Sequence, residues 1–66
     1  MTIEDLVEGL RLLIDAGATG HCLAAEHDVI YTAATNDVEL TVTQAKRLFK
    51  LGFHRDKETE SWAVFT

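Results

Sequence analysis

The chain contains no proline and one cysteine, and its first 45 residues hold one basic side chain, Arg11. Each scarcity excludes something. With Cys22 alone, no disulfide can form within the chain and no paired-cysteine zinc site can be built. A lone cysteine, with Glu4 and Asp5 where a secretory signal needs basic residues, leads us to expect a reducing cytoplasm. No apolar run approaches the ~20 residues needed to span a bilayer. The acidic balance also opposes docking on an anionic membrane. No proline, low-complexity tract or Ser/Gly-rich linker breaks the chain, so its 66 residues are expected to form one domain, 1–66. A core of that size supplies only ~3–5 kcal/mol net.

What is abundant is acid. The first 45 residues carry eight carboxylates, Glu4, Asp5, Glu8, Asp15, Glu26, Asp28, Asp37 and Glu39, against Arg11. The last 21 carry Lys46, Arg47, Lys50, Arg55 and Lys57 against Asp56, Glu58 and Glu60, and the net charge is −5. Such a surface is attracted to basic surfaces, which are often built to hold nucleic acid. Solubility alone is the plainer reading of the same excess.

The apolar pattern predicts six elements. Ile3, Leu6, Val7, Leu10, Leu13 and Ile14 form one stripe of a helix over 3–16, with Thr2 as N-cap and Gly17 as the stop. Leu12 falls off the stripe, so either the core face is wide or Leu12 meets a partner; the wide face is the plainer reading. Gly9, unfavourable in a helix, implies the close approach of another element. Strands are predicted over 21–25 and 28–33 around a Glu26-His27 turn, followed by a loop over 34–37. Thr41 and Gln44 offer a capping box for a helix over 42–51 ended by Gly52, with Ala45, Leu48 and Phe49 facing inward. A hairpin follows: 53–56, a polar turn over 57–60, then 61–66. Trp62 and Val64 share one face of its second strand, and Ala63 and Phe65 share the other. The fold class is therefore α+β, a two-layer domain of α-β-β-α-β-β order with two helices on an antiparallel sheet. Gly17 and Gly52, like Val29 and Val64, lie 35 residues apart, a weak pseudo-repeat of helix, stop and hairpin.

Few constellations suggest chemistry. His21, Cys22, His27 and His54 match no zinc spacing, so no metal and no cofactor are expected. Cys22 alternates with apolar residues and reads as a buried strand cysteine rather than a nucleophile. No Gly-rich phosphate loop or Ser/His/Asp set is present, and the chain is read as a non-enzyme with no catalytic residues. Thr43, Gln44, Lys46, Arg47 and Lys50 are residue types that touch DNA, but the acidic first helix and the long gap between helices oppose a helix-turn-helix. Tyr31, Phe53, Trp62 and Phe65 are expected in the core. If the helices cover one sheet face only, Trp62 or Phe65 is left exposed as an interface anchor.

Two segments, Ala25–Tyr31 and Leu51–Thr66, resemble a group of small phage and mobile-element proteins whose ending runs Leu-Gly-aromatic-His, then Ser or Cys before Trp, then Phe. Here these are Leu51-Gly52-Phe53-His54, Ser61-Trp62 and Phe65, with Arg55 where an aromatic is associated with the group. With the first helix, the resemblance covers most of the chain. Some of these proteins are anti-CRISPR proteins, including inhibitors of type I-C surveillance complexes. The resemblance implies an inhibitor acting in the bacterial host cytoplasm; the oligomeric state stays open, with a monomer favoured. It would bind a DNA-binding subunit of a type I Cascade complex and block target DNA recognition, without touching nucleic acid or membrane itself. Glu4, Asp5, Glu8, Asp15, Glu26, Asp28, Asp37 and Glu39 are then the candidate partner-binding residues, imitating a row of phosphates. Two other readings stand beside it: a small regulator that binds nucleic acid through the basic second helix, and an accessory or oligomerisation module for another protein.

Overall fold

A computed structural model describes residues 1–66. Helix α1 spans Ile3–Asp15. The Asp5 N–H donates to Thr2 Oγ1 at 3.0 Å, and Glu4 and Asp5 occupy the first turn, where the helix dipole favours acids. Beyond Ala16, Gly17 takes φ 119° and the Ala18 N–H donates back to the Leu13 carbonyl at 2.9 Å, closing the helix as its glycine implied. Helix α2, Val42–Leu51, begins with the full capping box: Gln44 N–H to Thr41 Oγ1 at 3.1 Å, and Thr41 N–H to Gln44 Oε1 at 2.9 Å.

The first hairpin differs from its sequence reading. Strands β1, Ala24–Glu26, and β2, Val29–Ala34, are joined by His27-Asp28, and Glu26 pairs with Val29 instead of turning. His27 takes φ 50°, a left-handed conformation in which His and Asp are enriched over Glu. That preference moves the turn one residue along and shortens β1. Residues 21–23 lie outside the strand, and Cys22 is exposed, not buried in a strand.

A 3₁₀ turn over Thr35–Asp37 leads towards α2, after which β3, Phe53–Asp56, and β4, Ser61–Phe65, form the second hairpin. Its turn is held by Asp56, whose Oδ2 accepts from the Thr59 N–H at 2.8 Å and hydroxyl at 2.6 Å. The sheet is antiparallel throughout, in the order β1-β2-β4-β3. The second strands of the two hairpins therefore meet at its centre. A bulge between Tyr31 and Ala34 interrupts that seam, and there the buried Thr32 hydroxyl donates to the Trp62 carbonyl at 2.7 Å. The result is the expected two-layer α+β domain.

Trp62, Val64 and Phe53 point to the helix side and pack with Leu13, Val38, Ala45, Leu48 and Leu51. Gly9 shows why α1 sits so close: a Cβ there would come within 2.1 Å of the Phe53 ring. With the Gly9 side turned inward, the helix buries Leu13 and leaves Ile3, Val7 and Ile14 at 81%, 58% and 54% exposure. Those three were expected in the core stripe. The missing side chain at residue 9, not the count of apolar residues, sets the helix rotation. Leu12 packs against the core because the helix is rotated, not because its apolar face is wide. Phe49, expected inward, is half exposed, its ring tilted at 47° to Trp62 with centroids 5.5 Å apart.

The opposite sheet face is open. Trp62 is buried, while Phe65 is exposed and stacks on His54 with centroids 4.8 Å apart. Tyr31 shares this outer face through its pairing with Ala63, so neither Tyr31 nor Phe65 belongs to the core. Arg55 occupies the helix side, its guanidinium 5.2 Å from the Trp62 ring and 5.6 Å from Phe49.

Candidate partner-binding surface

The eight carboxylates read from the sequence do not form one row. Helix α1 carries four of them. Glu4 and Asp15 are exposed and Asp5 is half-buried beside the N-cap. Glu8 turns towards α2, where the Arg47 guanidinium grips it with two nitrogens: Nε donates to Oε2, and Nη2 donates to Oε1 at 2.9 Å. This is the only ion pair in the molecule. The Arg47 hydrogen bond holds the Glu8 carboxyl below the usual range, and Glu8 in turn raises Arg47. A carboxylate so engaged is partly neutralised before any partner arrives.

Asp15, Asp37 and Glu39 are drawn to one end of the molecule. The Glu39 N–H donates to the Ala16 carbonyl at 3.0 Å, and the Asp37 carbonyl lies 3.1 Å from where a Cβ on Gly17 would stand. Asp15 occupies the last turn of α1, which has no basic residue, so the negative end of the helix dipole repels it. All three are exposed and none has a cationic partner.

Glu26 and Asp28 belong to a different place, the tip of the first hairpin, where Glu26 ends β1 and the Asp28 carbonyl accepts from the Thr66 N–H at 2.6 Å. Glu26 also contributes to a surface that the charge count missed. Tyr31 has its phenol pushed up, first by burial and then by the charges of Asp56, Glu26 and Glu58. The open sheet face thus combines Tyr31, His54 and Phe65 with a rim of carboxylates. Asp56 and Glu58 lie in the half of the chain that reads as basic, so composition hid them. The strand register reveals them, because Asp56 and Ala34 both pair with Ser61. Hydrogen bonds from Thr59 hold the Asp56 carboxyl below its ordinary range.

The remaining candidates stay apart. No three of the His, Cys, Asp and Glu side chains gather at metal-ligand geometry. No hydrogen bond joins Cys22 or a histidine side chain to an acid or base. A groove of about 460 Å³ runs between Thr35, Leu40, Arg55, Asp56 and Trp62, and a cleft of about 220 Å³ lies between α1 and residues 18–22. No helix is long and apolar enough to cross a membrane. No protein family, curated relative or solved structure matches this chain.

Proposed function

We propose that this protein is a stoichiometric inhibitor of the anti-CRISPR kind, acting by binding rather than by chemistry. Its unpaired carboxylates occupy a basic, DNA-binding surface of a type I Cascade complex and compete with target DNA for it. One observation carries the reading: of the eight carboxylates in the first 45 residues, only Glu8 has a cationic partner. Seven remain free to meet cations on another molecule. That partner is expected to be a protein, with charge steering setting the association rate and apolar contacts setting the lifetime.

The same ion pair weighs against nucleic-acid binding by α2. Arg47, central to that helix's basic face, is already held by Glu8, which leaves Lys46 and Lys50 on a molecule of net charge −5.

The geometry also selects the variants. Asp15, Asp37 and Glu39 share one end of the molecule and anchor no fold contact through their carboxylates. Reversing all three to Lys is expected to abolish binding to purified Cascade, measured by biolayer interferometry, with the circular dichroism spectrum unchanged. The wild-type on-rate should fall about tenfold or more between low and physiological salt. Undiminished binding by the reversed variant would remove the electrostatic mechanism.

A further inference from the structure

Ile3, Val7, Leu10 and Ile14 recur at steps of four, three and four along α1, the seam spacing of a coiled coil. In a helix about 20 Å long this makes a straight stripe. The domain's own core takes up only Leu10, and that in part. Ile3, Val7 and Ile14 are more than half exposed, and Leu10 is half-buried at the border. The apolar ground continues beyond the stripe, because Leu10 and Ile14 also wall the cleft that reaches Ala18 and Ala33.

We infer that a second copy of this chain covers the stripe, through an antiparallel, two-fold pairing of α1 with α1. The charges beside the stripe identify the occupant and its direction. Ile3, Glu4, Val7, Glu8, Arg11 and Leu12 line one shallow depression on the outer surface of the helix, and the Glu8 carboxylate there is already held by Arg47. Glu4 and Arg11 stand seven residues apart along the same edge of the seam, both exposed, and Arg11 has no partner in its own chain. Arg11 is also the only cation in the acidic part of the sequence.

Antiparallel pairing sets Ile3 against Ile14 of the second copy and Val7 against Leu10 of the second copy. In that register, same-edge residues face each other, so Glu4 meets Arg11 of the second copy. Symmetry repeats the contact at the other end. A parallel pair offers no such match: the opposite edge of the seam is Leu6 and Leu13, which face the chain's own core. The stripe is therefore complementary to itself in one direction only. The seam is short, and its area falls below the ~1,200 Å² of a standard stable interface, so the dimer is a weak one.

Sedimentation equilibrium of the purified protein alone tests this, with no inhibitor target present. The wild type is expected to dimerise reversibly as concentration rises into the high micromolar range. Ile3→Glu and Val7→Glu, both at exposed positions, should each leave a folded monomer. Glu4→Arg alone and Arg11→Glu alone should each weaken the dimer about tenfold, since two symmetric pairs turn repulsive together. The double variant Glu4→Arg with Arg11→Glu should restore it. A wild type that stays monomeric up to millimolar concentration overturns the inference. So does a dimer indifferent to Val7→Glu, or a double variant no tighter than the single ones. None of these readouts depends on the protein binding Cascade.

Discussion

Gly9 decides how α1 meets the sheet. In an isolated helix, Gly→Ala stabilises by roughly 0.5–1 kcal/mol. Here the added methyl would sit 2.1 Å from a ring carbon of Phe53, itself buried to 1% exposure. Overpacking of this kind costs about 1–3 kcal/mol, so Gly9→Ala should lower stability in chemical denaturation, reversing the sign that helix propensity gives. Glu8 and Asp56 make a second prediction at this scale. Hydrogen bonds from Arg47 and Thr59 hold both carboxyls below their ordinary values. Their contribution is therefore complete above the unfolded-state values, near 4, and is lost as pH falls through the lower folded values. Carbon-detected NMR titration should place both midpoints below the ordinary values for Glu and Asp. Arg47→Ala should return Glu8 towards its ordinary value and leave Asp56 unmoved. That Gly9 permits the close approach of another element was legible in the sequence. That Phe53 was the neighbour, and that Glu8 faced Arg47, were not, because both contacts join residues about 40 positions apart.

At the scale of elements, local chemistry explains what could be read. The boundaries of α2 follow from Thr41 and Gln44 at one end and Gly52 at the other, each acting on residues a few positions away. Thr41→Ala should cost about 0.5–2 kcal/mol by removing the acceptor for the Gln44 N–H, checked by thermal melting. Helix α1 presents the opposite case at its far end. Asp15 faces the negative pole of its own helix, so Asp15→Asn should stabilise the fold by roughly 0.3–1 kcal/mol while weakening partner binding. The first hairpin was less legible. Strand propensity alone cannot distinguish a Glu26-His27 turn from His27-Asp28, and the left-handed conformation at His27 decided it. The rotation of α1 was hidden for a related reason: Ile3, Val7 and Ile14 are as apolar as Leu6 and Leu13, and the approach of Phe53 separates the inner residues from the outer ones.

For the whole molecule, alternation along β4 already separated Trp62 from Phe65, and helices on one layer made one of the two an outer residue. The charge count located the acidic excess but not its arrangement. Folding divides the carboxylates into a neutralised one at Glu8, a group at the end of α1 with Asp37 and Glu39, and a rim around Tyr31, His54 and Phe65 that includes Asp56 and Glu58. Free carboxylates spread over a rigid domain of 29 × 24 × 20 Å are a surface suited to meeting cations, and the basic residues of α2 do not cancel them. The most direct test of that account is competition for a type I Cascade complex between this protein and labelled target DNA. The account predicts stoichiometric loss of DNA binding, relieved by salt and by reversal of Asp15, Asp37 and Glu39. DNA binding unchanged at saturating protein, or lost equally with the reversed variant, would contradict it.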